Sequence, residues 1–192
     1  MKKGFTLIEV SILLIIFIIV TFLVVPLSLN DSEHVKDISR WRNVQQDFEN
    51  LSVYMGSTYQ KEGGDFFKLF QEIISGEIIS DIEDYRIKTI NGLTPDNKYQ
   101  FTNFKKTSSG ATLAYKFLEN SNDKYIGTFL YDVNGNRPPN MWGKDVYGYN
   151  INENKFEPFC KNKPIHEQKK DCSKQGTGIC CSNYYLIGGD FD

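Results

Sequence analysis

From Phe5 to Leu29 the chain is almost entirely aliphatic and aromatic, broken mildly by Glu9, Ser11, Thr21, Pro26 and Ser28. At 1.5 Å per residue a helix over that stretch reaches about 37 Å, enough to cross a hydrocarbon core of about 30 Å. Lys2 and Lys3 precede it, which predicts a cytoplasmic N-terminal end with the bulk of the chain sent outward. A run this long and apolar all round does not suit the buried helix of a soluble domain. An ordinary secretory signal needs a small-residue cleavage pattern after its apolar core. None occurs in Pro26-Leu27-Ser28-Leu29-Asn30. A plain signal anchor leaves Glu9 unexplained, since a carboxylate at mid-span costs about 2.5–3.5 kcal/mol and less near the interface.

Gly4-Phe5-Thr6-Leu7-Ile8-Glu9 resembles the leader signature of type IV prepilins and of type II secretion pseudopilins. The resemblance implies a leader of residues 1–4, cut by a prepilin peptidase after Gly4, with the new terminus at Phe5 then N-methylated. It makes Glu9 the acidic residue that sets assembly, and Pro26 falls where many family members carry a helix-breaking proline. It implies other pilin or pseudopilin subunits and an inner-membrane assembly platform as partners. The expected location is a single-pass inner-membrane state first, then a pilus or pseudopilus filament. The chemistry is consistent with that role. Cleavage would leave an amine at the edge of an apolar helix, and Glu9 lies one turn on, at i+4. In low dielectric each charge alone is costly, so the pair offsets much of that cost.

The remaining residues allow one domain. Ile38, Trp41, Val44, Phe48, Leu51 and Met55 recur at spacings of three and four, which predicts an amphipathic continuation of the helix over 30–58. Trp41 and Phe48 read as core rather than as a ligand-stacking pair. Gly56 and Gly63-Gly64 mark an exit from the helix, and 59–192 forms the head. Phe66 to Ile82 reads as a short helix and connector. Strand-like runs follow at Tyr85–Ile90, Tyr99–Lys105, Ala111–Leu118, Tyr125–Val133 and Asp145–Ile151, with turns at Ser108-Ser109-Gly110 and Asn120–Lys124. Adjacent runs should pair antiparallel. The expected class is α+β, a helix laid on an antiparallel sheet, which is also the pilin fold that the resemblance implies.

Asp132-Val133-Asn134-Gly135-Asn136 places oxygen-bearing side chains at alternate positions, as calcium loops do, and Asn140 and Asp145 could add ligands. The EF-hand pattern fails, with Arg137 at its glycine position and Gly143 at its bidentate glutamate position. Asn-Gly is also a strong turn signal, so a turn closed by side-chain hydrogen bonds is preferred to calcium held by Asp132, Asn134, Asn136 and Asp145. Cys160, Cys172, Cys180 and Cys181 flank His166 but match no zinc pair spacing. Disulfides fit better. A Cys180–Cys181 ring is strained, so both cysteines should bond outward to Cys160 and Cys172, in either order. The resemblance likewise implies a stapled C-terminal loop, here 160–181.

Lys155, Lys161, Lys163, Lys169, Lys170 and Lys174 make that loop basic, but Glu153, Glu157, Glu167 and Asp171 interleave with them. A solvated surface loop is the expectation, and nucleic-acid binding is disfavoured. The formal net charge of −2 gives no general argument for a polyanionic partner either. No G-x-S-x-G, H-E-x-x-H or P-loop occurs, so the chain reads as a substrate of enzymes rather than an enzyme.

Overall fold

The structure, a computed structural model, describes residues 7–62, 66–117, 125–152 and 155–190, without the side chains at 7, 9, 20–31, 59–62, 66, 67, 76 and 117. The chain divides into two compact units, Met1–Lys36 and Asp37–Asp192. Helix α1 spans Leu7–Glu62.

In the first unit, the described apolar side chains of α1 from Ile8 to Ile19 are all exposed, between 44% and 69%. They surround the helix rather than forming a stripe, as the sequence pattern requires. Among the described residues no helix is long and apolar enough to cross a membrane. Of the expected span Phe5–Leu29, residues 5 and 6 and the side chains at 7, 9 and 20–29 lie outside the described residues.

The second unit holds the sheet. Strands β1 (Ile78–Asp81), β2 (Lys105–Thr107), β3 (Thr112–Phe117), β4 (Gly127–Asp132), β5 (Val146–Ile151) and β6 (Phe156–Pro158) pair antiparallel in sequence order. The class is therefore α+β. The alternation along each strand divides the core in two. Leu113, Phe129, Tyr131, Tyr147 and Tyr149 belong to the face that meets the α1 stripe. Trp41 is fully buried there, stacked on Tyr147 at 4.7 Å, and its Nε1 donates to the Ser182 carbonyl at 3.0 Å. Phe48 sets its ring edge against Phe129, Tyr131, Tyr149 and Phe156. Helix α2 (Phe66–Glu77) adds Phe70, which packs on Phe129 and Phe156.

Ala114, Leu130 and Val146 lie in the second cluster, with Tyr85, Phe101, Phe104, Trp142 and Phe159. Gly148 is required here, because a Cβ on it would lie 2.3 Å from the Phe159 ring. This second layer corrects two expected strands. Tyr85–Ile90 contributes only a bridge from Lys88 to Met141, and Tyr99–Lys105 is irregular until β2 begins at Lys105. Their aromatic residues cover the far face of the sheet instead of extending its edge. Without that cover, β4, which is buried along its whole length, would expose one side to water.

Two strands were not anticipated. Residues 78–81, expected inside a helical connector, form edge strand β1. Residues 156–158, expected in the basic loop, form edge strand β6. The outer edge of β6 is closed to further pairing, because the Phe156 N–H donates to Ser52 Oγ at 3.2 Å and Pro158 has no N–H. The helix also runs through Gly56 rather than ending there.

The C-terminal segment corrects a further expectation. It carries helices α3 (Ile165–Asp171) and α4 (Cys181–Tyr184) and two disulfides, Cys160–Cys180 and Cys172–Cys181. Lys161, Lys163, Lys169, Lys170 and Lys174 are exposed as expected. Cys172, Cys180, Cys181, Ser182 and Tyr185 are instead buried. Once bridged, cysteine is a small apolar group, and the bridges draw this segment into the core against Trp41 and Tyr147.

Candidate functional site

Strand β4 delivers Asp132 to the end of the sheet, where the chain turns at Val133–Gly135. The turn is closed by the side chain, as the Asn134 N–H donates to Asp132 Oδ1 at 3.0 Å. Gly135 adopts φ +74°, in the left-handed region that glycine tolerates. The loop returns through Asn140 and Met141 to Asp145, just before β5. Asp145 Oδ1 accepts the Met141 N–H at 2.7 Å, and its Oδ2 accepts the Asn140 N–H at 2.9 Å. Asn134 bridges the carboxylates, its Nδ2 lying 3.2 Å from both Asp145 Oδ2 and Asp37 Oδ2. Asp37 comes from α1 and takes Arg40 Nη1 on its other oxygen at 2.7 Å. Tyr85 donates its hydroxyl to Asp132 Oδ2.

All six carboxylate oxygens of Asp37, Asp132 and Asp145 therefore accept a hydrogen bond. Asp132 and Asp145 are fully buried. Burial first, and then the charge of Asp145, push the Asp132 carboxyl up to about 8. Burial pushes Asp145 up to about 6, opposed by the backbone donors of Met141 and Asn140. Burial beside Asp132 pushes the Tyr85 hydroxyl far above the ordinary tyrosine range. These shifts favour a proton on Asp132 and the negative charge on Asp145, whose oxygens hold the backbone donors of Met141 and Asn140.

Of the four residues set out for calcium, the fold brings Asp132, Asn134 and Asp145 together, while Asn136 is exposed on the wall of a neighbouring cleft. Two buried oxygens of the knot remain without a partner, Asn134 Oδ1 and Asn140 Oδ1. Among the described residues no group of three or more His, Cys, Asp or Glu side chains is disposed to hold a metal. As placed, Asp132, Asn134 and Asp145 close a hydrogen-bonded turn. Gly143 explains the missing glutamate: it sits at φ +79°, and a Cβ there would lie 2.6 Å from Cys181 Sγ.

The zinc alternative is overturned, because all four cysteines are consumed in disulfides. Asp37 and Tyr85 were missed by sequence reasoning. The available signal for Asp37 was its place four residues before Trp41, on the buried stripe. Tyr85 had none, being distant in sequence and in an apparent strand. Gly4 and Phe5 lie outside the described residues, as does the side chain of Glu9. Comparison with family models, with curated proteins and with solved structures finds no match to this chain.

Proposed function

We propose that the chain is a minor pilin or pseudopilin, a structural subunit of a type IV pilus or type II secretion filament, matured by prepilin peptidase. The observation that carries this reading is the signature Gly4-Phe5-Thr6-Leu7-Ile8-Glu9 at the head of an apolar segment. Two features of the fold support it. Described side chains of α1 from Ile8 to Ile19 are apolar and exposed around the helix, a surface that needs lipid or neighbouring helices. The amphipathic stretch of α1 from Ile38 to Met55 packs on one face of an antiparallel sheet, the arrangement of a pilin head. The two disulfides suit an oxidising compartment outside the cytoplasm.

In this reading the Phe5 amine and Glu9 pair within or between subunits and set register. The subunit waits in the inner membrane with its head outward and is then extruded into the filament. It has no catalytic role of its own, and it requires no cofactor. A major adhesive or DNA-uptake pilin would share the same pathway and differ in abundance or ligand.

The deciding experiment is the N-terminal mass of the mature chain from membranes, with and without its prepilin peptidase. A chain that begins at N-methylated Phe5 only when the peptidase is present supports the reading. An intact Met1 terminus, or a cut after Leu29, leaves a membrane-anchored or secreted binding domain that does not assemble.

A further inference from the structure

We infer that the cleft bordered by β1, the β2–β3 turn and the loop after β4 binds a single oxyanion, a carboxylate or phosphate group carried on a small hydroxylated ligand, with Arg40 and Arg137 as its guanidinium donors. The cleft has a volume of about 750 Å³, within the range of small-ligand sites. Arg40, Lys106 and Arg137 line it together, although they come from α1, β2 and the loop after β4.

One hydrogen-bonded chain holds both guanidiniums from behind. Arg40 Nη1 donates to Asp37 Oδ1 at 2.7 Å. Asn134 Nδ2 donates to the other oxygen of Asp37 at 3.2 Å. Arg137 Nε then donates to the carbonyl of that same Asn134 at 3.0 Å. A guanidinium offers five N–H donors, so each arginine commits one to the tether and keeps the rest. A fork held in place loses less entropy when it takes up a bidentate oxyanion. The buried carboxylate knot thus has a use beyond closing a turn, since it positions two arginines around one space.

Lys106 adds a third cation, exposed in β2. Its neighbour Lys105 is committed elsewhere, to Asp81 at 2.5 Å. That ion pair offsets the charge of Asp81, which also lines the cleft, and leaves Glu83 as the acid on the wall. Arg40 is likewise paired with Asp37, so Lys106 and Arg137 face one uncompensated acid, an excess of one positive charge that suits a single oxyanion. Ser109 and Asn136 supply neutral hydrogen-bonding groups beside the cations, which suits hydroxyls on the rest of the ligand. The inference does not rest on filament assembly and holds equally for an anchored domain.

The test uses the full chain in detergent micelles, titrated calorimetrically with methyl glucuronide, inorganic phosphate and neutral methyl glucoside. Saturable binding of at least one anion is expected, with no binding of the glucoside. Arg137→Gln and Lys106→Gln should each weaken binding about tenfold. Lys88→Gln, outside the cleft, should leave it unchanged. Tighter binding of glucuronide identifies an acidic sugar as the source of the oxyanion, and tighter binding of phosphate a phosphorylated ligand. The inference fails if neither anion saturates the chain below about 10 mM. Equal binding of the neutral glucoside, or unaltered affinity in both Arg137→Gln and Lys106→Gln, also overturns it.

Discussion

Replacing Asp132 by asparagine should flatten the dependence of stability on pH. The Asp132 carboxyl is buried beside Asp145, and its pKa in the folded chain is pushed up to about 8 from an ordinary 3.8. The folded chain therefore holds a proton that the unfolded chain releases. This contribution to stability is complete below pH 3.8 and is lost as the pH rises through about 8. Within that window one proton of difference gives a slope of about −1.4 kcal/mol per pH unit, or about 3 kcal/mol between about pH 5 and 7. The substituted amide would keep the turn, its oxygen accepting the Asn134 N–H, with no proton to lose. Urea unfolding of both proteins at several pH values, disulfides intact, measures the difference. Asp132→Asn should gain on the wild type by about 1.4 kcal/mol for each pH unit between about 5 and 8, and no further above that. Parallel curves would mean that Asp132 is ionised in the folded chain throughout, and the account of the knot would be wrong.

Further expectations concern the same domain. The Tyr149 hydroxyl is buried with no hydrogen-bond partner, so Tyr149→Phe should raise unfolding stability by about 1 kcal/mol in the same assay. The disulfides close sequence separations of 20 and 9 residues. Serine replacement of the Cys160–Cys180 pair should cost about 3 kcal/mol and of Cys172–Cys181 about 2.5 kcal/mol, read from denaturant midpoints. Calcium should leave the thermal midpoint unchanged at neutral pH, because the carboxylate oxygens of Asp132 and Asp145 already carry donors; a rise abolished by Asp145→Asn would contradict this. Trp41→Ala should cost about 3–5 kcal/mol, losing both the stack on Tyr147 and the bond to Ser182.

Local pattern carried the parts of this protein whose signal is local. The three-and-four spacing of Ile38, Trp41, Phe48 and Met55 marked the buried stripe of α1, because helical geometry places those residues on one face whatever lies opposite. The strand-like runs Ala111–Leu118 and Tyr125–Val133 marked β3 and β4, and Ser108–Gly110 marked the turn that pairs β2 with β3. The Asp132–Asn134 turn was legible from its Asx-type side chain. The strain of a Cys180–Cys181 ring left two connectivities.

Other features depend on partners distant in the chain. Tyr85–Ile90 and Tyr99–Lys105 have the composition of strands, yet β4 needs its second face covered, and burying Tyr85, Phe101 and Phe104 there outweighs extending an edge. The C-terminal segment reads as polar and charged, but Cys172, Cys180, Cys181 and Tyr185 are buried while its lysines face water. The choice of Cys160 for Cys180 and Cys172 for Cys181 follows from where α3 and α4 pack. Arg40 and Arg137 stand 97 positions apart, and only the packing of α1 on the sheet joins them through Asp37 and Asn134. Periodicity records which face of an element is apolar. It does not record what that face will meet, because burial energy is indifferent to sequence distance.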